Sequence, residues 1–320
     1  MPRVAILDDY QNVVLDLADW SRLPPAVSLT VFNDHLVDEA AIAERLRDFE
    51  IVAINRERTP FTRSLFEKLP NLKFLATNGM RNLSIDLDAA ADHGVTVSGT
   101  QMLAYPTAEL AWGLILGLFR RIPSERDATR RGHWQTTLGL TLRSKVLGIM
   151  GLGRLGSLVA KIGKAFEMDV IAWSQNLTAE RCADLGVTLV DKETLLSRAD
   201  VVTIHLVLSD RTRGIIGAPE LALMKPTAYL VNTSRGPMID GAALVGALEA
   251  KAIAGAAIDV FDIEPIAADH PLLKLENALV TPHIGYVTEE NYRTFLGEMV
   301  ENIEAWLNGA PIRLLGAPQA

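Results

Sequence analysis

Short apolar runs rich in β-formers alternate along this chain with stretches of helical period. VAIL (4–7) is followed by a helical stretch near 10–19, and SLTVF (28–32) by DEAAIAERLRD (38–48). IVAI (51–54) is followed by TRSLFEKL (62–69), KFLAT (73–77) by IDLDAAADH (85–93), and VTVS (95–98) comes next. The strand runs are apolar without alternation, as in strands covered on both faces. Single helices between them predict parallel pairing through helical crossovers. Residues 1–100 therefore predict one doubly wound α/β unit.

A long helix is predicted over 106–122, with Pro106 at its first position and Thr107 and Glu109 in the first turn. It is apolar on nearly every side, which predicts burial between domains or between subunits. A polar, arginine-rich stretch follows over 120–133. A second α/β series then begins. KVLGIMGLGRLG (145–156) reads as strand, glycine turn and helix start; VIAW (170–173), VTLV (187–190), VVTIHL (201–206), AYLVN (228–232), IAGAAIDV (253–260) and ALVT (278–281) read as further strands. An amphipathic helix over 288–307 is stopped by Gly309 and Pro311. The fold class is α/β, with two doubly wound parallel sheets in series.

Composition narrows the function. The 320 residues suffice for about two domains, and 49% apolar with 22% charged residues excludes disorder as the main state. The net charge of −8 argues against general nucleic-acid binding. Cys182 is the only cysteine, so an internal disulfide and any thiolate-pair metal site are excluded, and no metal is expected. The N-terminus MPRVAILDDY has no signal-peptide pattern, and the apolar window 110–119 is too short to span a bilayer. The expectation is a cytoplasmic protein with no membrane partner.

Gly151, Gly153 and Gly156 in GLGRLG stand between a strand and a helical pattern, the context of a dinucleotide-binding turn. The first glycine permits the turn, the second lets backbone approach a pyrophosphate, and the third lets helix pack on strand. Where NAD-preferring sites carry an acidic residue for the ribose 2′-hydroxyl, this chain has Ser174, Gln175 and Asn176, and no arginine until Arg181. That reads as NAD or NADP, leaning to NADP through Ser174 and Asn176. Further on, VNTSRGP, IDVFDIEP and TPHIG each place an ionisable residue just past an apolar strand: Arg235, Glu264 and His283. Ligands of open parallel sheets bind beyond those strand ends. The set suits carbonyl reduction. The arginine would bond the substrate carboxylate or carbonyl oxygen, the histidine would exchange the proton, and the carboxylate would hold the ring in position.

On these motifs the chain resembles the D-isomer-specific 2-hydroxyacid dehydrogenase family over essentially its full length, most strongly from 104 to 285. The resemblance implies a flavodoxin-like substrate domain of 1–100 plus 287–320 and a Rossmann NAD(P)-binding domain of 101–286, flanking a cleft that closes on a small 2-oxo or 2-hydroxy acid. It implies Arg235 as substrate arginine, His283 and Glu264 as the acid–base dyad, and Asp259 as the partner of the nicotinamide carboxamide. Arg154 and Leu155 would contact the pyrophosphate by their backbone, while His205, Thr233, Ser234 and Thr107 would line the cofactor cleft. Asn78, Gly79 and Met80 in TNGMRN would offer donors to the substrate carboxylate, and Arg56 in INRERTP would line the same pocket. The family and the apolar helix imply a homodimer, with Trp134 matching a tryptophan that in some relatives reaches the neighbouring subunit's active site. Tyr286 stands where the family often has small residues, which points to an altered pocket. The alternative from another class is a nucleotide-sensing scaffold similar to the corepressors of this fold.

Overall fold

The computed structural model describes residues 1–316. Its contacts divide the chain into two units, one of Met1–Leu103 together with the chain from Val287 on, the other of Ala104–Tyr286.

In the first unit, five short strands form one sheet. They are β1 (Arg3–Ile6), β2 (Ser28–Val31), β3 (Ile51–Ile54), β4 (Phe74–Thr77) and β5 (Thr96–Ser98). They pair in the order β2-β1-β3-β4-β5, all parallel, with the switch in winding between β1 and β3. This is the flavodoxin-like order. Strands β3 and β4 are fully buried, and the edge strand β2 is partly exposed. The crossovers are α1 (Val14–Leu17), α2 (Glu39–Leu46), α3 (Arg63–Glu67) and α4 (Leu87–Asp92). Asp38, Thr62 and Asp86 each cap the helix that follows by accepting a backbone N–H. The stretch expected to be helical over 10–19 is helical only at Val14–Leu17. Both Asp9 carboxylate oxygens take the Val13 and Val14 N–H groups, and Asn12 adopts a left-handed φ of 54° that no helix can include.

The second unit carries seven parallel strands: β6 (Val146–Met150), β7 (Asp169–Trp173), β8 (Thr188–Leu189), β9 (Val201–Ile204), β10 (Tyr229–Asn232), β11 (Gly255–Ile258) and β12 (Ala278–Val280). Their order is β12-β11-β10-β9-β6-β7-β8. That is the Rossmann order with one strand more, and its switch point lies between β6 and β9. The helices of this unit are α5 (Tyr105–Phe119), α6 (Ile122–Arg130), α7 (Arg154–Ala165), α8 (Ala179–Leu185), α9 (Lys192–Arg198), α10 (Ala218–Leu223) and α11 (Gly241–Glu249); α12 (Glu289–Leu307) returns to the first unit.

The far end of the long apolar helix needs correction. The helix ends at Phe119, because Arg121 takes a left-handed φ of 51°, and α6 begins at once within the polar, arginine-rich stretch. The sequence is silent about α6 because only Ala128 of it is buried, so no apolar period marks it. Helix α5 contributes to the core of the second unit. Ala108, Ala111, Trp112, Ile115 and Phe119 are buried in the second unit's own core, where Trp112 donates to the Val159 carbonyl and the Phe119 ring packs 5.1 Å from that of Tyr229. Each large apolar side chain buried there contributes about 1.5–3 kcal/mol.

Candidate active site

Every chemical residue of the second unit lies just beyond the carboxyl end of a parallel strand, so the sheet lines them up along one edge. In spatial order they are His283 after β12, Asp259 and Glu264 after β11, Thr233 to Arg235 after β10, His205 after β9, the glycine turn after β6, and Ser174 after β7. With about 4.8 Å between neighbouring strands, the glycine turn and the histidine turn stand roughly 19 Å apart along that edge.

The glycine turn divides its labour. Gly151 has a φ of +101°, and a Cβ there would come within 2.6 Å of the His205 carbonyl oxygen. A Cβ on Gly156 would strike the Gly151 carbonyl. Gly153 meets nothing within 4 Å, and it immediately precedes α7 with no side chain to cap the helix. The first and third glycines are thus demanded by packing. The second leaves open space before the amides of a twelve-residue helix, where an anion is favoured.

His283 and Glu264 are brought together as expected, with Nδ1 of the ring 2.5 Å from Glu264 Oε2. Glu264 is itself oriented, since its Oε1 accepts the Phe261 N–H at 2.8 Å. The pair is part-buried. His283 holds a left-handed φ of 53°, a strained position for a residue with a side chain. The turn around it is secured by Asp259, which is completely buried. Asp259 Oδ1 accepts from the Thr281 hydroxyl at 2.6 Å and the Ile284 N–H at 2.9 Å, and Oδ2 accepts the Gly285 N–H at 2.9 Å. Burial pushes the Asp259 carboxyl above its ordinary pKa, against the pull of those donors and of the nearby His283. Thr107, in the first turn of α5, donates to the Gly285 carbonyl at 2.9 Å. Thr107 and Asp259 therefore grip one turn from two sides. The Tyr286 ring is buried and stands edge-on to the His283 imidazole, centroids 5.6 Å apart.

Arg235 is presented by a turn that Asn232 organises. Asn232 Oδ1 accepts the Ser234 N–H at 3.0 Å, its amide donates to the Arg235 carbonyl at 2.9 Å, and Ser234 Oγ donates to the Ile204 carbonyl at 2.7 Å. Arg235 Nη1 bonds the Ser234 carbonyl at 2.7 Å. Gly236 lets this turn lie directly on the Phe261–Asp262 backbone, where any Cβ would clash. Asn232, Gly236 and Thr281 were not foreseen from sequence. The asparagine's position in a tight turn before Ser234 was the available signal.

Two buried polar atoms on this edge have no hydrogen-bond partner, Thr233 Oγ1 and His205 Nδ1. The other His205 nitrogen lies 2.9 Å from Thr203 Oγ1, and burial pulls its pKa down to about 4. Leaving such atoms unpaired costs about 1–3 kcal/mol each, so they mark places where a polar ligand fits. Together with the open Gly153, they suit a dinucleotide laid along the strand ends. Among the described residues no group of three His, Cys, Asp or Glu side chains is placed to hold a metal ion, and no helix is long and apolar enough to cross a membrane.

In the first unit the turn after β4 is tied internally. The Asn78 amide donates to Asn55 Oδ1 at 2.9 Å and the Gly79 N–H to Thr100 Oγ1 at 3.1 Å. These bonds to neighbouring strand ends hold the turn in shape. Arg56, with a left-handed φ of 57°, lies against this turn, Nη1 donating to the Asn78 carbonyl at 3.3 Å. Met80 is half exposed.

A Rossmann sheet with this glycine turn and a histidine–carboxylate pair on the same edge defines a dinucleotide-binding protein. Residues 112–285 match the family described as D-isomer specific 2-hydroxyacid dehydrogenase, NAD binding domain. The chain belongs to that family. It is 38% identical over 314 residues to the D-3-phosphoglycerate dehydrogenase of Methanocaldococcus jannaschii, covering 97% of this chain and 58% of that protein, so it spans little more than half that relative's length. It is 40% identical over 255 residues to the glyoxylate reductase of Aeropyrum pernix, covering 77% of this chain and 76% of the other. A solved structure of a phosphoglycerate oxidoreductase from Vibrio cholerae superposes with a TM-score of 0.92 at 38% identity, covering 97% of this chain and all of that one.

Proposed function

We propose that this protein interconverts a D-2-hydroxy acid and its 2-oxo acid, using NAD(P)(H). The observation that carries the reading is the 2.5 Å contact of His283 Nδ1 with Glu264, which fixes the ring and leaves Nε2 to exchange a proton with substrate. A bound nicotinamide supplies the hydride on reduction and accepts it on oxidation. Gly153 and the first amides of α7, through Arg154 and Leu155, hold the pyrophosphate; Thr233, Ser234, His205 and Thr107 line the rest of the cofactor's path. Arg235 binds the substrate carboxylate or carbonyl oxygen and favours negative charge developing there. On reduction His283 gives its proton to the former carbonyl oxygen; on oxidation it takes the hydroxyl proton, and Glu264 stabilises the imidazolium. Arg56, beside the 78–80 turn, adds positive charge for an anionic substrate.

Ser174 and Asn176 place no carboxylate after β7, which supports use of NADP as well as NAD, with a lean to NADP. Residues 131–141 are all exposed, Trp134 and Leu138 among them at 78% and 91%, and such uncovered apolar side chains favour a homodimer. The single cysteine fits a cytoplasmic setting. Tyr286 packs edge-on against the His283 ring where the family often has small residues, so the 2-oxo acid is identified by assay. Glyoxylate, hydroxypyruvate, pyruvate and larger 2-oxo acids are each offered with NADH and with NADPH. Oxidation of either cofactor above background is the expected result; no turnover with any pair would turn the reading toward a nucleotide-sensing scaffold.

A further inference from the structure

The basic residues beside the glycine turn differ in what engages them. Lys164, at the far end of α7, donates to the Leu185 carbonyl at 3.2 Å, and Arg198 pairs with Asp169 at 3.4 Å. Arg181 is different. It stands on α8, whose neighbouring Cys182 is buried in the core and fixes the helix against α7. Its guanidinium crosses to α7, where Nη2 donates to Ser157 Oγ at 2.9 Å. Ser157 in turn donates to the Gly153 carbonyl at 2.7 Å. Among the described residues no carboxylate pairs with Arg181, so an exposed cation is moored one side chain away from the ligand-facing glycine.

We infer that Arg181, moored by Ser157, receives the 2′-phosphate of NADP(H) and sets the cofactor preference of this protein. The inference rests on the proposed binding of NAD(P) along this edge. Its physical basis is charge and place. The strand that ends beside the adenosine ribose is β7, and the residues after it, Ser174, Gln175 and Asn176, carry no negative charge to repel a phosphate. The next residues lead into α8, which brings Arg181 back to the start of α7. A guanidinium there has donors beyond the one given to Ser157, in a planar fork that matches phosphate oxygens. The 2′-hydroxyl of NAD offers no charge to meet it.

Binding to the whole protein without substrate tests this apart from turnover. NADPH, NADH, 2′,5′-ADP and 5′-ADP are titrated calorimetrically into the wild type and into Arg181→Gln and Ser157→Ala. Wild type is expected to bind NADPH and 2′,5′-ADP more tightly than NADH and 5′-ADP. Arg181→Gln should weaken the two 2′-phosphorylated ligands about tenfold or more, the scale of one lost charge-assisted hydrogen bond, and shift the other two by about twofold at most. Ser157→Ala should give a smaller loss of the same selectivity. Equal weakening of all four ligands would assign Arg181 to the pyrophosphate and overturn the inference, as would no change in any. A wild type that binds NADH but not NADPH defeats this inference alone, whereas one that binds neither defeats the proposed function itself. Arg181 is exposed and Ser157 is half-buried with no apolar packing lost on going to alanine, so melting temperatures near wild type are expected and are measured alongside.

Discussion

Asp259 fixes His283 without touching its ring: the buried carboxylate takes the Thr281 hydroxyl and the N–H groups of Ile284 and Gly285, the residues on either side of the histidine. A strained φ of 53° at His283 persists because this acceptor over-determines the turn. The same arrangement leaves the imidazole free to face Glu264 through one nitrogen and the ligand side through the other.

The Thr281 hydroxyl isolates this positioning effect, since that group reaches the turn through Asp259, while the Thr281 carbonyl that accepts the His283 N–H is unchanged by side-chain substitution. Thr281→Val removes one of the two donors to Asp259 Oδ1 and should lower kcat about tenfold with little change in cofactor affinity. Thr281→Ser restores the hydroxyl and should recover most of the rate. Asp259→Asn replaces an acceptor by an amide and should cost about 10²-fold, the scale of a small misplacement of a catalytic group. Equal rates for the valine and serine variants would show that the hydroxyl does not position the turn.

The dyad itself gives a sharper contrast. His283→Ala should abolish turnover, and Glu264→Gln should lower kcat by about 10²–10³, within the usual range for general acid–base catalysis. Cofactor affinity should stay within about twofold in both. Loss of cofactor binding in His283→Ala would place the histidine in nucleotide binding instead.

Gly236 links the arginine turn to the carboxylate loop by direct backbone contact. Gly236→Ala must push the Phe261–Asp262 backbone away, and with it Phe261 N–H, which orients Glu264. A cost of about 1–3 kcal/mol is expected, read as a fall in Tm of several degrees, with kcat falling further than stability alone explains. An alanine variant with wild-type kcat and Tm would contradict that coupling.

His205 makes stability depend on pH. Folded, its pKa is about 4, because burial disfavours the imidazolium; unfolded, it is near 6.5. Between those values the unfolded chain binds the proton and the folded chain does not, so stability falls as pH drops from 6.5 toward 4 and is regained on raising pH. The slope from this one group approaches about 1.4 kcal/mol per pH unit, about 3 kcal/mol in all. Urea unfolding of wild type and His205→Gln at several pH values checks it: the variant should show the shallower dependence over this window, and parallel curves would refute the assignment.

Periodicity and turn chemistry in the sequence determined the parallel sheets, the crossing helices, the glycine turn and the identity of the residues that form the dyad. Short apolar runs that alternate with helical patterns predict buried parallel strands, and glycine at 151, 153 and 156 answers a backbone requirement that is local. Tertiary structure decided what depends on neighbours distant in the chain. Nothing in the sequence near α5 says that its apolar surface meets the core of its own unit, and α6 buries too little to leave a pattern. The sequence does not say that the Asn78 amide donates to Asn55 and the Gly79 N–H to Thr100, both on adjacent strand ends. The grip of Asp259 on the His283 turn joins residues 22 to 26 apart in the chain. Local pattern encodes which residues are buried; which polar group meets which is set by the register of parallel strands, and that register exists only once the sheet has formed.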